Sequence, residues 1–406
     1  MSLLSRRSML GGLSALGTSA LCTSTLATSC GLVGKASAEV VKVGVINTFS
    51  GPFARWGEQT KQAIEVFQKQ RGKTVKGSEI QIVYRDDGGA DPARAKQLAE
   101  ELALKEKVQF LAGFAFTPNA LAAAEIATEA KLPTVIWNAA TGIVTRKSPY
   151  FVRTSFTLPQ DTAPVAAWAA KNGIKSVVTL VTDYAPGYDG EAAFTRVFKE
   201  NGGEILESIR VPLPTTDFAP FFERVLEKKP NALFLFGPGG PSSVGMIGTW
   251  ASRLKPADIQ LITTTETQEI DLVKIGPAAL DAIGSSHYPE TSDNPLNVSL
   301  RKDLEALFGA KTIPDIATVA TYDGMQLIYR AVEQLGPRPP PDAVMSLWKG
   351  AKLDSPRGPI EIDAQTRDIV QNVYLRRVKA QGDRLINVSF ETIAAVKDPW
   401  KEWNPG

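Results

Sequence analysis

The run VVKVGVI at residues 40–46 is short and apolar almost throughout. Such a run predicts a strand that is buried on both faces, as in a parallel sheet. An amphipathic segment follows at residues 57–69, with Ile64 and Phe67 on one helical face, and a second apolar run lies at residues 80–84. Strand, helix and strand in this order predict a βαβ unit, and therefore a parallel sheet covered by helices.

The same alternation continues along the chain and then repeats. Asp91 followed by Pro92 predicts the start of a helix, with Asp as the N-cap and Pro at the first helical position. Further strands are predicted at residues 108–112, 133–137, 176–181, 204–211, 232–236, 259–263 and 282–286, and further helices at residues 119–130, 190–201, 218–228 and 241–254. Two runs of this kind predict an α/β fold of two doubly wound parallel-sheet lobes.

The last part of the chain departs from this alternation. Residues 300–308 and 318–335 predict two helices, and a third is predicted at residues 343–350 after a proline-rich stop. Residues 360–362 and 373–378 predict strands with turns between them. This tail is too short for a third domain, so we expect it to complete the two lobes.

The composition excludes several classes of function. The chain has 406 residues, 45 Lys and Arg against 43 Asp and Glu, one His and two Cys. A formal charge of +2 provides no electrostatic surface for nucleic acid, so we expect no nucleic-acid partner. Two Cys and one His make neither a disulfide scaffold nor a standard zinc site, so we expect no metal site.

The first 38 residues have the pattern of an export signal. Arg6 and Arg7 precede a mildly apolar stretch of small residues, as in a secretory signal peptide, and the paired Arg resembles a twin-arginine signal. We expect cleavage after Ala38, where small residues stand at the required positions, and a periplasmic protein as the product. A lipid anchor on Cys30 is the alternative, and twin-arginine and general secretory export both stay open.

Two loops that follow strands carry hydroxyl groups at helix starts. One contains Gly113, Thr117 and Asn119, and the other runs from Asn138 to Thr141. Ligands of open parallel sheets bind outside the carboxyl ends of the strands, and N–H groups at a helix start hold an anion without a positive side chain. These loops therefore predict a carboxylate site, unless Thr117 and Asn119 only cap the helix and Thr141 only makes a turn.

Motifs of nucleotide-dependent enzymes are not matched. Gly51 and Gly57 have the wrong spacing for a dinucleotide turn, and the loop at residues 237–242 has Ser242 in place of the third Gly. His287 is the only histidine and has no nucleophile motif beside it. Glu266, at a strand exit, fits either a partner for a ligand ammonium group or a solvated loop carboxylate. We expect neither an enzyme nor a cofactor.

Eight motifs in one order resemble the periplasmic solute-binding proteins of the leucine/isoleucine/valine-binding type. The resemblance covers the chain from about Val40 to the C-terminus, and although each motif alone is weak, eight in the family order are a strong signal. The motifs are Ser50-Gly51-Pro52 with Trp56-Gly57, Asp86-Asp87, Gly113 with Thr117 and Asn119, Asn138-Ala139-Ala140-Thr141, Phe151-Val152-Arg153-Thr154, Asp183-Tyr184-Ala185-Pro186-Gly187, Thr216-Asp217-Phe218 and Thr321-Tyr322-Asp323-Gly324.

The resemblance implies a type I periplasmic binding protein fold, with two lobes joined by three crossover segments. On this basis we expect lobe I at residues 39–157 plus 288–361, and lobe II at residues 158–287 plus 362–406. The resemblance also implies a monomer that captures a solute by hinge closure. It would deliver the solute to the membrane permease and ATPase of an ABC importer and catalyse nothing.

The resemblance also implies roles for individual residues in lobe I. Thr117 and Thr141, with the backbone of Ala139 and the side chain of Asn119, correspond to the place where the family holds a ligand carboxylate. Trp56 stands where an aromatic side chain commonly covers the ligand.

In lobe II, Tyr184 lies in the loop that closes over the ligand, and Glu266 falls near the acid that receives the α-ammonium group in amino-acid binders. Phe116 of lobe I adds an aromatic face to the cleft, and His287 of lobe II adds a polar one. Aromatic walls suit a carboxylic acid with an apolar body, so a branched-chain amino acid and an aromatic acid both stay open. A ligand-sensing domain or an exported enzyme acting on small acids are alternative functions.

Overall fold

The strand predicted at residues 40–46 forms as β1 (Val40–Asn47) at the centre of the first sheet. It pairs in parallel with a neighbour on each side, and Val41, Val43 and Val45 are fully buried. The computed structural model of the chain describes residues 39–405. The export signal predicted for residues 1–38 lies outside the described residues.

The first sheet has six strands in the order β2-β3-β1-β4-β5-β6. All neighbouring pairs are parallel except β2 with β3. The strands are β1 (Val40–Asn47), β2 (Thr74–Val75), β3 (Ser78–Asp86), β4 (Phe110–Gly113), β5 (Thr134–Ile136) and β6 (Phe151–Arg153). The carboxyl ends of β4 and β5 lie side by side, which brings the two predicted carboxylate loops together.

The second sheet has nine strands, in the order β12-β13-β14-β11-β10-β9-β7-β8 with β15 paired to β14. The strands are β7 (Ser176–Thr182), β8 (Glu204–Val211), β9 (Ala232–Phe236), β10 (Gln260–Thr263), β11 (Ile283–Ser286), β12 (Lys352–Leu353), β13 (Ile360–Ile362), β14 (Ile369–Gln381) and β15 (Arg384–Val396). Its central strands β7, β9, β10 and β11 are parallel, whereas β14 joins β11 in antiparallel pairing.

Helices cover both sheets. They are α1 (Arg55–Arg71), α2 (Pro92–Glu100), α3 (Thr117–Glu129), α4 (Leu158–Lys171), α5 (Ala185–Glu200), α6 (Ala219–Lys228), α7 (Pro241–Arg253), α8 (Glu269–Ile275), α9 (Pro295–Phe308), α10 (Ile316–Leu335), α11 (Pro341–Trp348) and α12 (Trp400–Trp403). The predicted cap of α2 is confirmed, since the Asp91 side chain accepts a hydrogen bond from the N–H of Arg94. None of these helices is long and apolar enough to cross a membrane.

Several elements, among them β6, α8 and β12, were not predicted, and two further differences have a clear physical cause. The strand predicted at residues 373–378 is twice as long, and β15, which pairs along its length, was not predicted. Many side chains of β15 are exposed, so it lacks the apolar run that marks a buried strand. Helix α4 was also not predicted, since Pro164 lies inside it and proline usually interrupts a helix.

The chain passes between the two sheets three times. It leaves the first sheet after β6, returns after β11 to α9 and α10, which pack on α1, and enters the second sheet again at β12. The boundaries of the two lobes stay a prediction. Strands β12 and β13, near the predicted boundary at residue 361, extend the second sheet at its β14 side.

Candidate functional site

A cleft, or open cavity, lies where the carboxyl ends of β4 and β5 face those of β9 and β10, and the empty space within it, including the part open to solvent, is about 460 Å³. Its wall consists of aromatic, small and neutral polar residues. They are Trp56, Ala115, Phe116, Thr117, Asn138, Ala140, Phe156, Leu158, Tyr184, Pro186, Phe236, Gly237, Pro238, Gly239, Thr265, Gln268 and Ile316. Both predicted lobes therefore contribute residues to one cleft.

The loop after β4 has an unusual backbone that aims it at the cavity. Gly113 has a φ of 110°, and a Cβ at this position would lie 2.2 Å from the carbonyl oxygen of Ile46, so only Gly fits there. Phe114 is fully buried and has a φ of 68°, a conformation that costs a non-glycine residue of the order of 1 kcal/mol. This turn brings Phe116 and Thr117 to the cavity wall.

Thr117 is the polar group of lobe I that faces the cavity at the start of α3. Thr141 donates a hydrogen bond of 3.1 Å to the Thr117 hydroxyl, which leaves the Thr117 proton free to turn towards a ligand. No side chain of the described residues caps α3, so neither Thr117 nor Asn119 acts as its cap. First-turn N–H groups lack helical partners and carry the positive end of the helix dipole. Together these donors can hold a carboxylate.

Two other predicted carboxylate residues are already bonded within lobe I. The amide of Asn119 donates to Asp87 at 2.8 Å and to the carbonyl of Gly89 at 2.7 Å. The N–H of Ala139 donates to the carbonyl of Phe114 at 3.0 Å. Both groups therefore hold the two loops in place, and a direct contact of either one with a ligand stays a prediction.

Aromatic rings form the opposite walls. Phe116 of lobe I makes an edge-to-face contact with Phe53, with ring centres 5.1 Å apart. Tyr184 of lobe II stacks on Phe236 with ring planes inclined by 18°. Burial, and secondarily the nearby Glu266, raise the pKa of Tyr184, so its hydroxyl stays protonated and able to donate. Rings fixed by such contacts offer flat apolar surfaces at little entropic cost.

Glu266 lies behind the wall and not in it. Its side chain is fully buried and accepts hydrogen bonds from the N–H of Thr264 at 2.7 Å and of Gly237 at 3.3 Å, while Gly237 itself lines the cavity. Burial raises the pKa of Glu266 to about 8, so the group is mainly protonated at neutral pH. The alternative of a solvated loop carboxylate is therefore wrong.

His287 lies one layer behind the cavity as well. Its ring stacks on Phe156, with centres 4.7 Å apart, and Phe156 lines the cavity. Nδ1 of His287 is 2.9 Å from Asp161. Burial lowers the pKa of His287, and Asp161 opposes this effect. The contacts of His287 support the position of the Phe156 ring.

The structure thus brings most of the predicted residues to one region but in two layers. Trp56, Phe116, Thr117 and Tyr184 line the cavity, whereas Thr141, Glu266 and His287 contact residues that do. Asn138 lies in a predicted loop and lines the cavity, whereas the sequence reasoning missed the lining residues Phe156, Phe236, Thr265 and Gln268. Phe236 and Thr265 lie at or just after strand ends, and a search of every strand end would have found them.

The lobes touch each other on both sides of the cavity. The N–H of Gly142, in the loop after β5, donates to Asp189 on α5 at 2.8 Å. The N–H of Ile316, at the start of α10, donates to the side chain of Gln268 at 3.3 Å. These bonds join residues of the two predicted lobes.

Comparison with known proteins agrees with this architecture. The sequence model of the periplasmic binding protein family matches residues 40–383. The Leu/Ile/Val-binding protein homolog 6 of Brucella melitensis is 41% identical over 367 residues, which are 90% of this chain and 94% of that protein.

Two solved structures are also similar to the chain. A solute-binding protein of an ABC transporter from Rhodopseudomonas palustris HaA2, in complex with p-hydroxybenzoic acid, superposes with a TM-score of 0.86 at 42% identity, over 89% of this chain and 98% of that one. Its counterpart from strain BisB5, in complex with 3,4-dihydroxybenzoic acid, has a TM-score of 0.86 at 41% identity, over 89% and 99% of the two chains. The predicted fold class is confirmed, and the chain belongs to the periplasmic binding protein family.

Proposed function

We propose that the protein is the solute-binding component of an ABC importer and that its solute is an aromatic carboxylic acid of the benzoate type. The proposal rests first on the similar proteins, which are ABC transporter solute-binding proteins crystallised with p-hydroxybenzoic acid and 3,4-dihydroxybenzoic acid. It rests second on the chemistry of the cavity wall.

The choice of solute rests on the position of Glu266, the acid expected to receive an ammonium group, which lies behind the cavity wall. Glu266 is fully buried, has both oxygens occupied by backbone N–H groups and is mainly protonated at neutral pH. An α-ammonium group in the cavity would meet no counter-ion from Glu266. Burying such a charge unpaired costs several kcal/mol, so the wall favours an acid without an ammonium group.

The remaining groups suit an aromatic acid. The Thr117 hydroxyl and the first turn of α3 supply neutral donors for the carboxylate. The rings of Trp56, Phe116 and Tyr184 supply flat faces for the ring of the solute. The solute would contact lobe I first, and closure would then bring Tyr184 over it. Because the closed state makes contacts that the open state lacks, solute shifts the population towards closure.

The expected setting of the protein follows from its family. The protein would act in the periplasm after cleavage behind Ala38, or anchored through Cys30, and deliver its solute to a membrane permease and its ATPase. It would perform no chemistry on the solute, since its relatives are solute-binding proteins.

Calorimetric titration with three compounds tests the proposal. We expect 4-hydroxybenzoate to bind at least about 100-fold more tightly than L-leucine, because an unpaired ammonium costs several kcal/mol. 4-Hydroxybenzamide, which keeps the ring but lacks the charge, should bind weakly. Tight binding of L-leucine without binding of 4-hydroxybenzoate would overturn the choice of solute.

A further inference from the structure

An ion pair bridges the two lobes beside the cavity. Nη1 of Arg55, at the start of α1 in lobe I, lies 2.7 Å from Oδ1 of Asp271 on α8 in lobe II. Their side chains are 16% and 3% exposed, so solvent screens the pair only weakly. Because the partners belong to different lobes, the pair can exist only when the lobes are closed.

The guanidinium group of Arg55 also contacts two residues of the cavity wall. It lies over the ring of Trp56, 4.6 Å from the ring centre, in a cation–π arrangement. A Cβ on Gly239 would lie 2.5 Å from Nη2 of Arg55, and Gly239 has a φ of 81°. A side chain at residue 239 would therefore displace the end of the Arg55 side chain. Trp56 and Gly239 both line the cavity.

Arg55 has one acidic neighbour in each lobe, and only the one in lobe I stays beside it when the lobes open. Asp315, the N-cap of α10, lies near Arg55 within lobe I, and Arg55 lowers its pKa against the larger, opposite effect of burial. Burial likewise raises the pKa of Asp271, and Arg55 opposes this. Opening the lobes would leave Arg55 with Asp315 and Trp56 but would remove Asp271 from its cation. The energy of the Arg55–Asp271 pair therefore belongs to the closed state alone.

We propose that the Arg55–Asp271 pair is a latch that holds the lobes closed, keeps Trp56 over the solute and sets the rate of solute release. Arg55 is a positioning residue in this role, since Trp56 and Gly239 lie between it and the cavity. The inference rests on the proposed function only for the identity of the solute.

The first test measures the release rate of 4-hydroxybenzoate by stopped-flow for Asp271→Asn, which keeps the shape and removes the charge. We expect release about 10- to 100-fold faster and association within about threefold of the unsubstituted protein, because the pair forms after the solute is bound. Asp271→Glu should restore part of the slow release.

The matched control is Asp303→Asn, because Asp303 forms an ion pair of the same length, 2.7 Å, with Lys69 inside lobe I. This variant should release solute at the unsubstituted rate. Unchanged release in Asp271→Asn, or an equal acceleration in Asp303→Asn, would overturn the latch.

The second test needs no solute of known identity. Spin labels at Leu104→Cys in lobe I and Lys199→Cys in lobe II, both exposed positions, report the distance between the lobes once Cys22 and Cys30 are replaced by Ser. Asp271→Asn should move the distance distribution towards the open state, and an unchanged distribution would contradict the latch. If no benzoate binds, the proposed function fails, while this distance measurement still decides the latch.

Discussion

The two lobes present different chemistry to the same cavity. Lobe I offers donors that are fixed by its own contacts, namely the Thr117 hydroxyl oriented by Thr141 and the uncapped first turn of α3. Lobe II offers the Tyr184 ring stacked on Phe236, and it keeps its acid, Glu266, behind the backbone of Gly237. Under the proposed function, the two lobes would have different roles. Lobe I would orient the carboxylate, and lobe II would cover the ring and disfavour an ammonium group.

The largest effect is expected for substitution of Glu266, the buried acid of lobe II. Burial raises the pKa of Glu266 to about 8 from an ordinary value of 4.5, so the folded state holds a proton that the unfolded state releases between these pH values. Stability from this group is therefore complete below about pH 4.5 and declines as pH rises to about 8. Glu266→Gln should remove the decline, which amounts to about 2 to 4 kcal/mol.

Denaturant unfolding from pH 5 to pH 9 measures this difference between Glu266→Gln and the unsubstituted protein. Asp189 and Asp315 also have a raised pKa, of about 6, but they occur in both proteins and cancel in the comparison. The affinity for 4-hydroxybenzoate should change less than about threefold, because Glu266 does not line the cavity. Parallel pH profiles of the two proteins would refute the protonated, withdrawn state of Glu266.

The next effect tests the donors of lobe I. Thr117→Ala combined with Thr141→Ala should weaken binding of 4-hydroxybenzoate by about 1 to 3 kcal/mol, since the donor to a charged group and the hydroxyl that orients it are both lost. Calorimetry measures the loss. Thr179→Ala is the matched control, because its hydroxyl bonds Ser208 in lobe II away from the cavity. Unchanged affinity in the double variant would remove these hydroxyls from the site.

The smallest effect tests the ring of lobe II. Tyr184→Leu should cost about 0.5 to 1.5 kcal/mol, the usual value of an aromatic pair beyond its buried area. Since Tyr184 covers the solute only after closure, the loss should appear as faster release with little change in association. A slower association with unchanged release would mean that Tyr184 contacts the solute before closure.

The fold was largely predictable because its central strands are continuous apolar runs. β8 and β9 begin and end at the predicted residues, and β1 extends one residue beyond its prediction. The hairpin of β14 and β15 was predictable only in part. The side chains of β15 are held by pairing with β14 and not by burial, so local hydrophobicity carries little signal for it.

The cavity was predictable where a residue follows a strand end, as with Thr117 and Tyr184. Phe156 lies in the crossover after β6, and no periodicity marks it as part of the wall. The sequence also does not show how far a residue lies behind the cavity wall. It places Glu266 at a strand exit, but it does not indicate that Glu266 lies behind Gly237. This position depends on hydrogen bonds between residues 29 positions apart in the chain.

The crystal structure of the protein with 4-hydroxybenzoate tests the division of work between the lobes most directly. We predict that the carboxylate accepts hydrogen bonds from the Thr117 hydroxyl and the first turn of α3, with the ring against Tyr184 and with Glu266 still bonded to Gly237. A carboxylate held by lobe II, or Glu266 turned into the cavity to contact the ligand, would contradict the account.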